Sequence, residues 1–266
     1  MHKEEHENFP SALEAFFLVI ALFAAERVFG ALLCDLLLPM GFSQMDIGTL
    51  MVFLGNGAVF AALLHYKRMS YAELFHGSRN SVAATLGLLA VPTLLLVPGL
   101  SLLMASLEAV LEWLVPMSAW DRRTFGDLAS GSVAALLYGC VLAPFLEEML
   151  FRGIILRAFL RQYGRWPAII GSAALFGLFH LNIYQFMVGL IAGTLLGWLY
   201  ERSRSLWPCI LLHGAYNTLL MVIALLFGGS EAAWDFPLTF WVACIVLAAL
   251  GAGLLRHLLG ERVDAA

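Results

Sequence analysis

Charge is what this sequence has least of. Of 266 residues only 13% are Asp, Glu, Lys or Arg, while 61% are hydrophobic; soluble globular chains carry about 25% charge and about 45–50% apolar residues. So greasy a chain is excluded from the soluble class and reads as a multi-spanning membrane protein. No block of Lys and Arg with interleaved aromatics occurs and the net charge is -4, so nucleic-acid binding has nothing to rest on. Cys34, Cys140, Cys209 and Cys244 stand singly in or beside apolar runs. With no C-x-x-C pair they exclude a disulfide framework and a thiolate zinc site, and read as small apolar fillers. Internal repeats and long linkers are also missing. Met1 to Pro10 is polar, and the apolar run after it has no small-residue cleavage site, which predicts an uncleaved first span rather than a signal peptide.

What is present is a series of apolar runs, each near the roughly 20 residues a helix needs to cross a bilayer. The clear ones are Ala12–Leu33, Ile47–Leu64, Val82–Leu107, Leu128–Phe151, Leu206–Phe227 and Phe236–Leu255. Trp166 to Tyr200 is uncharged for 35 residues, about 52 Å as one helix. Its polar interruption at His180 to Tyr184 predicts two short spans folded back on each other. The fold class is therefore all-α, a polytopic bundle of about eight transmembrane helices. Of the 15 Lys and Arg, this count puts 11 on the side of the N-terminus, two (Arg122, Arg123) opposite, and two (Arg27, Arg152) within spans. By the positive-inside rule both termini are cytoplasmic. Arg157 to Arg165 is expected as a short basic helix or turn at that interface. Three units follow: residues 1–127 with three spans, 128–228 as a four-span core, and 229–266 with the last span and tail. Gly189, Gly193 and Gly197 recur every fourth residue and predict a smooth face for close helix approach.

Ionisable groups in hydrocarbon cost at least about 2.5–3.5 kcal/mol, so each calls for a partner or a function. Glu26 and Arg27 are adjacent and read as structural charge compensation. Glu148 and Arg152 are an i,i+4 pair on one helix face, which leaves Glu147 about 100° away and unpaired. A desolvated carboxylate that no cation neutralises can accept a proton from water. Counted from the nearest basic residues, Glu147, His180 and His213 can reach one depth, and Asn217 shares a face with His213. Such a set suits water activation by Glu147 with His180, and oxyanion stabilisation by His213 with Asn217. Glu147, His180 and His213 would equally serve as a zinc site with one position open to water. A proton- or cation-coupled transporter and an inactive membrane scaffold are the competing classes.

The segments Glu147-Glu148-Met149-Leu150-Phe151-Arg152, Phe176-Gly177-Leu178-Phe179-His180 and His213-Gly214-Ala215-Tyr216-Asn217 resemble the E-E-x-x-x-R, F-x-x-x-H and H-x-x-x-N motifs of the CPBP family. These are the Rce1-type CAAX prenyl proteases and their bacterial bacteriocin-processing and abortive-infection relatives. The resemblance covers roughly Leu128 to Phe227. It implies an intramembrane endopeptidase in a bacterial cytoplasmic membrane, acting on a membrane-anchored protein or peptide. Glu147 would be the base, His180, His213 and Asn217 the rest of the catalytic set, and Glu148 and Arg152 supporting residues. The family has been described both as metal-dependent and as glutamate-dependent; the reading favoured is that no cofactor is required, with zinc as the alternative.

Overall fold

The computed structural model describes residues 8–227 and 236–260. It is helical throughout; among the described residues the one β contact is an isolated bridge between His76 and Ser205. The helices are α1 (Ala12–Leu37), α2 (Gln44–Lys67), α3 (Tyr71–Phe75), α4 (Val82–Leu114), α5 (Ala119–Leu128), α6 (Val133–Gln162), α7 (Arg165–Phe179), α8 (Ile183–Ser203), α9 (Trp207–Phe227) and α10 (Leu238–Gly260). Seven are long and apolar enough to cross a membrane, and α7 is a shorter apolar helix of 15 residues. The chain is a multi-pass integral membrane protein whose eight apolar helices match the eight expected runs.

Local chemistry sets the ends. Ser11, Ser43, Ser81, Ser118 and Ser132 each accept a hydrogen bond from the backbone N–H three residues on. This supplies one of the donors that every helix start leaves orphaned. At the tip of the α7–α8 hairpin, Leu181 adopts the left-handed conformation (φ 57°). Asn182 then caps α8 by accepting from Gln185 N at 2.8 Å. The intramembrane Asn182 is thus a helix cap.

Two boundaries differ from expectation. The fourth span does not run from Leu128 to Phe151 with a separate basic segment after it. α6 starts at Val133 and continues to Gln162, because Arg157 finds a partner in Glu73 (2.7 Å) and nothing between 151 and 162 breaks the helix. The opposite loop is also structured: α4 extends to Leu114, and Ser118 with Asp121 starts the polar helix α5. Glu26 and Arg27 compensate each other at a distance rather than by contact. Buried Glu26 accepts from Asn56 Nδ2 at 2.9 Å, while exposed Arg27 reaches Met51 Sδ. Neighbouring residues on a helix point about 100° apart and cannot share a partner direction.

The basic ends of the helices gather on one face. Gln162 donates to Pro10 O, Gly77 N to Arg204 O, and Lys67 Nζ to Phe9 O. Lys3, Arg262 and residues 228–235 lie outside the described residues.

The glycine stripe closes α7 against α8. A Cβ at Gly189 would come 2.8 Å from Gly177 Cα, and one at Gly197 3.0 Å from Ile169 Cγ2. Gly99 and Gly251 do the same for α4 and α10, where a Cβ at Gly251 would come 2.6 Å from the Pro92 carbonyl oxygen. We expect Gly189→Ala to lower stability by about 1–3 kcal/mol, since two backbones must separate. Gly253, with nothing within 4 Å, should tolerate alanine or gain about 1 kcal/mol of helix propensity. Thermal unfolding in detergent compares the two; equal melting temperatures would contradict the close-approach argument.

Candidate active site

α6 brings Glu147, Glu148 and Arg152 to the middle of the bundle, where α7 ends in His180 and α9 presents His213 and Asn217. The centre is the ion pair that the i,i+4 spacing predicted: Arg152 Nη1 donates to Glu148 Oε1 at 2.9 Å, with 1% and 0% of the side chains exposed. Arg152 Nη2 donates to the Gly193 carbonyl at 3.1 Å, and the guanidinium lies 4.6 Å from the centre of the Phe176 ring. These contacts meet the guanidinium of the buried pair, whereas Glu148 Oε2 is buried without a hydrogen-bond partner. Gly193 is required here for a second reason: a Cβ would sit 3.1 Å from Arg152 Nη2.

His213 links both glutamates. Its Nδ1 lies 2.9 Å from Glu148 Oε1, and its Nε2 lies 3.7 Å from Glu147 Oε2. Because Glu148 Oε1 is an acceptor, Nδ1 carries the proton, and the ring is oriented by a carboxylate as in a Ser-His-Asp triad. The 3.7 Å separation is too long for a hydrogen bond and suits a bridging water. Exposure separates the two acids. Glu147 and His213 keep 11% and 10% of their side chains accessible, whereas Glu148 is sealed. Of the two acids, only Glu147 keeps accessible surface.

His180 Nδ1 donates to Phe176 O at 3.0 Å, which leaves Nε2 as an acceptor. The structure places no bond between His180 and Glu147. It sets both imidazoles edge-on to Phe176, with centroids 5.2 Å (His180) and 5.9 Å (His213) away.

Asn217 Nδ2 donates to the Gly139 carbonyl at 2.8 Å. The covalent reason lies in α6, which widens to π geometry over Tyr138–Leu142 and again over Met149–Leu156, on either side of the glutamates. In the first widened turn Ala143 N–H bonds to Tyr138 O, so Gly139 O loses its α-helical donor. Its π-helical donor would be residue 144, which is proline and has no N–H. Asn217 supplies the missing donor, and its amide retains a second N–H.

The partner of Glu26, Asn56, and the nearness of this pair to Glu147 escaped the sequence reading. Glu26 of α1, held by Asn56, lies within electrostatic range of Glu147, and Phe23 one turn earlier stacks on Phe179 at 4.9 Å. The available signal was a lone acid and a lone amide in neighbouring apolar spans.

The zinc alternative can be tested against this geometry. Glu147 Oε2 and His213 Nε2 are spaced to share one ion, but His180 does not join them. Among the described residues no three His, Cys, Asp or Glu side chains are arranged to hold a metal. The side chains as placed do not fit a three-ligand zinc site.

The role assigned to Pro144 makes a test in stability alone. Asn217→Ala should cost about 1 kcal/mol by stranding the Gly139 carbonyl. In a Pro144→Ala background, where residue 144 regains its N–H, the same substitution should cost less than half as much. A double-mutant cycle by chemical unfolding in detergent measures the difference; equal costs would reject the proline explanation.

With this geometry in hand, comparisons with known proteins can be weighed. Residues 129–219 match the family described as type II CAAX prenyl endopeptidase Rce1-like. A curated Bacillus subtilis (strain 168) protein, "Putative membrane peptidase YdiL", is 27% identical over 99 residues. That alignment covers 37% of this chain and 41% of the relative, so the chain matches about two fifths of its length. No solved structure matches. Residues 129–219, which carry all three motifs, are thus similar to the Rce1-like type II CAAX prenyl endopeptidases, as the motifs implied.

Proposed function

We propose that the chain is an intramembrane endopeptidase that hydrolyses a peptide bond of a membrane-anchored protein or peptide, with Glu147 as the base. The observation that carries the reading is the contrast between two adjacent acids: Glu148 is sealed and spent on Arg152 and His213, while Glu147 remains accessible beside His213 Nε2. A water between Glu147 and the imidazoles gives its proton to the Glu147 carboxylate as its oxygen attacks the scissile carbonyl carbon. The oxyanion is met by the second N–H of Asn217 and by His213 in its doubly protonated form, whose Nδ1–H stays on Glu148 while its Nε2–H faces the oxyanion. When the C–N bond breaks, Glu147 returns the proton to the leaving amine. His180, with Nε2 as acceptor, orients the attacking water by a hydrogen bond from its other hydrogen, which remains on the product carboxyl group until that acid ionises. Substrates of the CAAX, leader-peptide and sorting-helix kinds all satisfy this chemistry.

We place the basic face in the cytoplasm of a bacterial cell, following the positive-inside rule. His213 stands six residues inside α9, about 9 Å from the basic end, so water enters from that face and the cut falls at or just inside it.

Glu147→Gln should abolish proteolysis, at least about 100-fold, the usual contribution of a general base, with unchanged melting behaviour. Activity should survive chelator. Comparable turnover by wild type and Glu147→Gln on any processed membrane peptide would sink the assignment, and loss of turnover in chelator restored by zinc would replace it with the metal mechanism. Orientation is tested separately in a cysteine-free background. A cysteine at exposed Gly126 should react with an impermeant thiol reagent outside intact cells and one at exposed Asn80 should not. The buried Ser203 is unsuitable for such labelling and Ser230 lies outside the described residues. The reverse pattern would invert the topology.

A further inference from the structure

Away from the glutamates, at the basic face, a cavity of about 590 Å³ opens between α4, α7, α8 and α10. Three guanidiniums line it: Arg165 at the start of α7, Arg202 near the end of α8 and Arg256 near the end of α10. One carboxylate answers them. Glu201 Oε2 lies 3.0 Å from Arg165 Nη2 and 3.4 Å from Arg202 Nε. Neither contact is aligned as a hydrogen bond, so Arg165 Nε and Nη2, Arg202 Nε and Glu201 Oε2 all lack a hydrogen-bond partner although the ions are paired. Three guanidiniums against one carboxylate leave the site with an excess of two positive charges.

The walls narrow the class of anion. Trp166 and Trp198 also line the cavity, and Leu96, Leu195 and Leu255 form its deeper side. Tryptophan beside arginine at the end of apolar helices is the pattern of the membrane–water interface. A soluble anion would gain nothing from the leucine wall, whereas acyl chains would lie along it and along the exposed Leu254 and Leu258 of α10. The start of α7 adds the positive end of its helix dipole, since Gly164 provides no side-chain cap. Arginine rather than lysine at all three positions fits a phosphate group, which can take two parallel N–H donors from one guanidinium.

We infer that this cavity is a binding site for one anionic phospholipid, its phosphate held by Arg165, Arg202 and Arg256 and its chains laid against α4 and α10. The site lies apart from Glu147 and does not depend on the reading of the glutamate site. Occupied, it ties α10, which lies outside the segment shared with the Rce1-like family, to α7 and α8 of the core.

The test uses the full chain, purified in neutral detergent, stripped of lipid and mixed with phosphatidylglycerol, with phosphatidylcholine of the same chains, or with inorganic phosphate. Native mass spectrometry counts bound lipid. Phosphatidylglycerol should be retained at least about fivefold more tightly than phosphatidylcholine, the effect of one arginine near an anionic headgroup. Arg256→Gln should weaken it by about fivefold on the same scale. Arg256 is exposed, with no hydrogen bond or ion pair in the described residues, so the melting temperature of the lipid-free variant should stay that of wild type. Arg79→Gln removes an exposed arginine at the same face but outside the cavity and should leave retention unchanged. Equal retention of the two lipids, equal effects of the two variants, or displacement of phosphatidylglycerol by millimolar phosphate would each overturn the assignment, the last in favour of a soluble phosphate site.

Discussion

The Glu148–Arg152 ion pair is the constraint from which the centre of this protein is arranged. An ion pair at 0% and 1% exposure, with Glu148 Oε2 itself unpartnered, depends on what its neighbours contribute. The neighbours do so in an identifiable way. α8 gives a carbonyl at Gly193, α7 gives the face of Phe176, and α9 gives an imidazole N–H. Each contribution fixes the rotation of one helix about its axis. A lost partner would leave a buried charge unmet, at about 3–5 kcal/mol, so the pair acts as a register pin for α6, α7, α8 and α9 together. The glycine stripe then has two tasks: it lets α8 approach α7, and it brings a backbone oxygen within reach of the guanidinium.

From this pin follows the asymmetry between two chemically identical neighbours. Glu148 faces inward and becomes structural. Glu147, about 100° round the helix, is left with the accessible space and no cation in hydrogen-bonding contact. The two widened turns of α6 stand on either side of this pair, as such turns often do at functional sites. The first of them leaves a carbonyl that only a side chain can satisfy, and Asn217 is the side chain that arrives.

Much of this was legible before any coordinates. Helix number followed from hydropathy, the Glu148–Arg152 contact from i,i+4 geometry, and the α7–α8 closeness from glycines every fourth residue. What could not be read were relations set by the rotation of one helix against another. The bond from His213 to Glu148 spans 65 residues, and that from Asn56 to Glu26 spans 30; no spacing rule connects them. The α5 helix was missed for the opposite reason. Its Ser118-x-x-Asp121 start is a local signal, but it sits in a polar stretch where hydropathy gives no prompt to look. Pro144 was equally visible, yet its effect needed the partner of Gly139 to be known.

The length of α7 has a consequence for the bilayer itself. Its 15 residues rise about 22 Å, short of a hydrocarbon core of about 30 Å, whereas the 33 residues of α4 rise about 50 Å and must tilt. The two mismatches have opposite sign, so lipid around this protein cannot have one uniform thickness. On the α7 flank compression of the acyl chains brings the two headgroup layers closer together. A transmembrane helix drawn to that side crosses less hydrocarbon, and uncoiling one of its turns there exposes peptide groups to hydrated headgroups instead of oil.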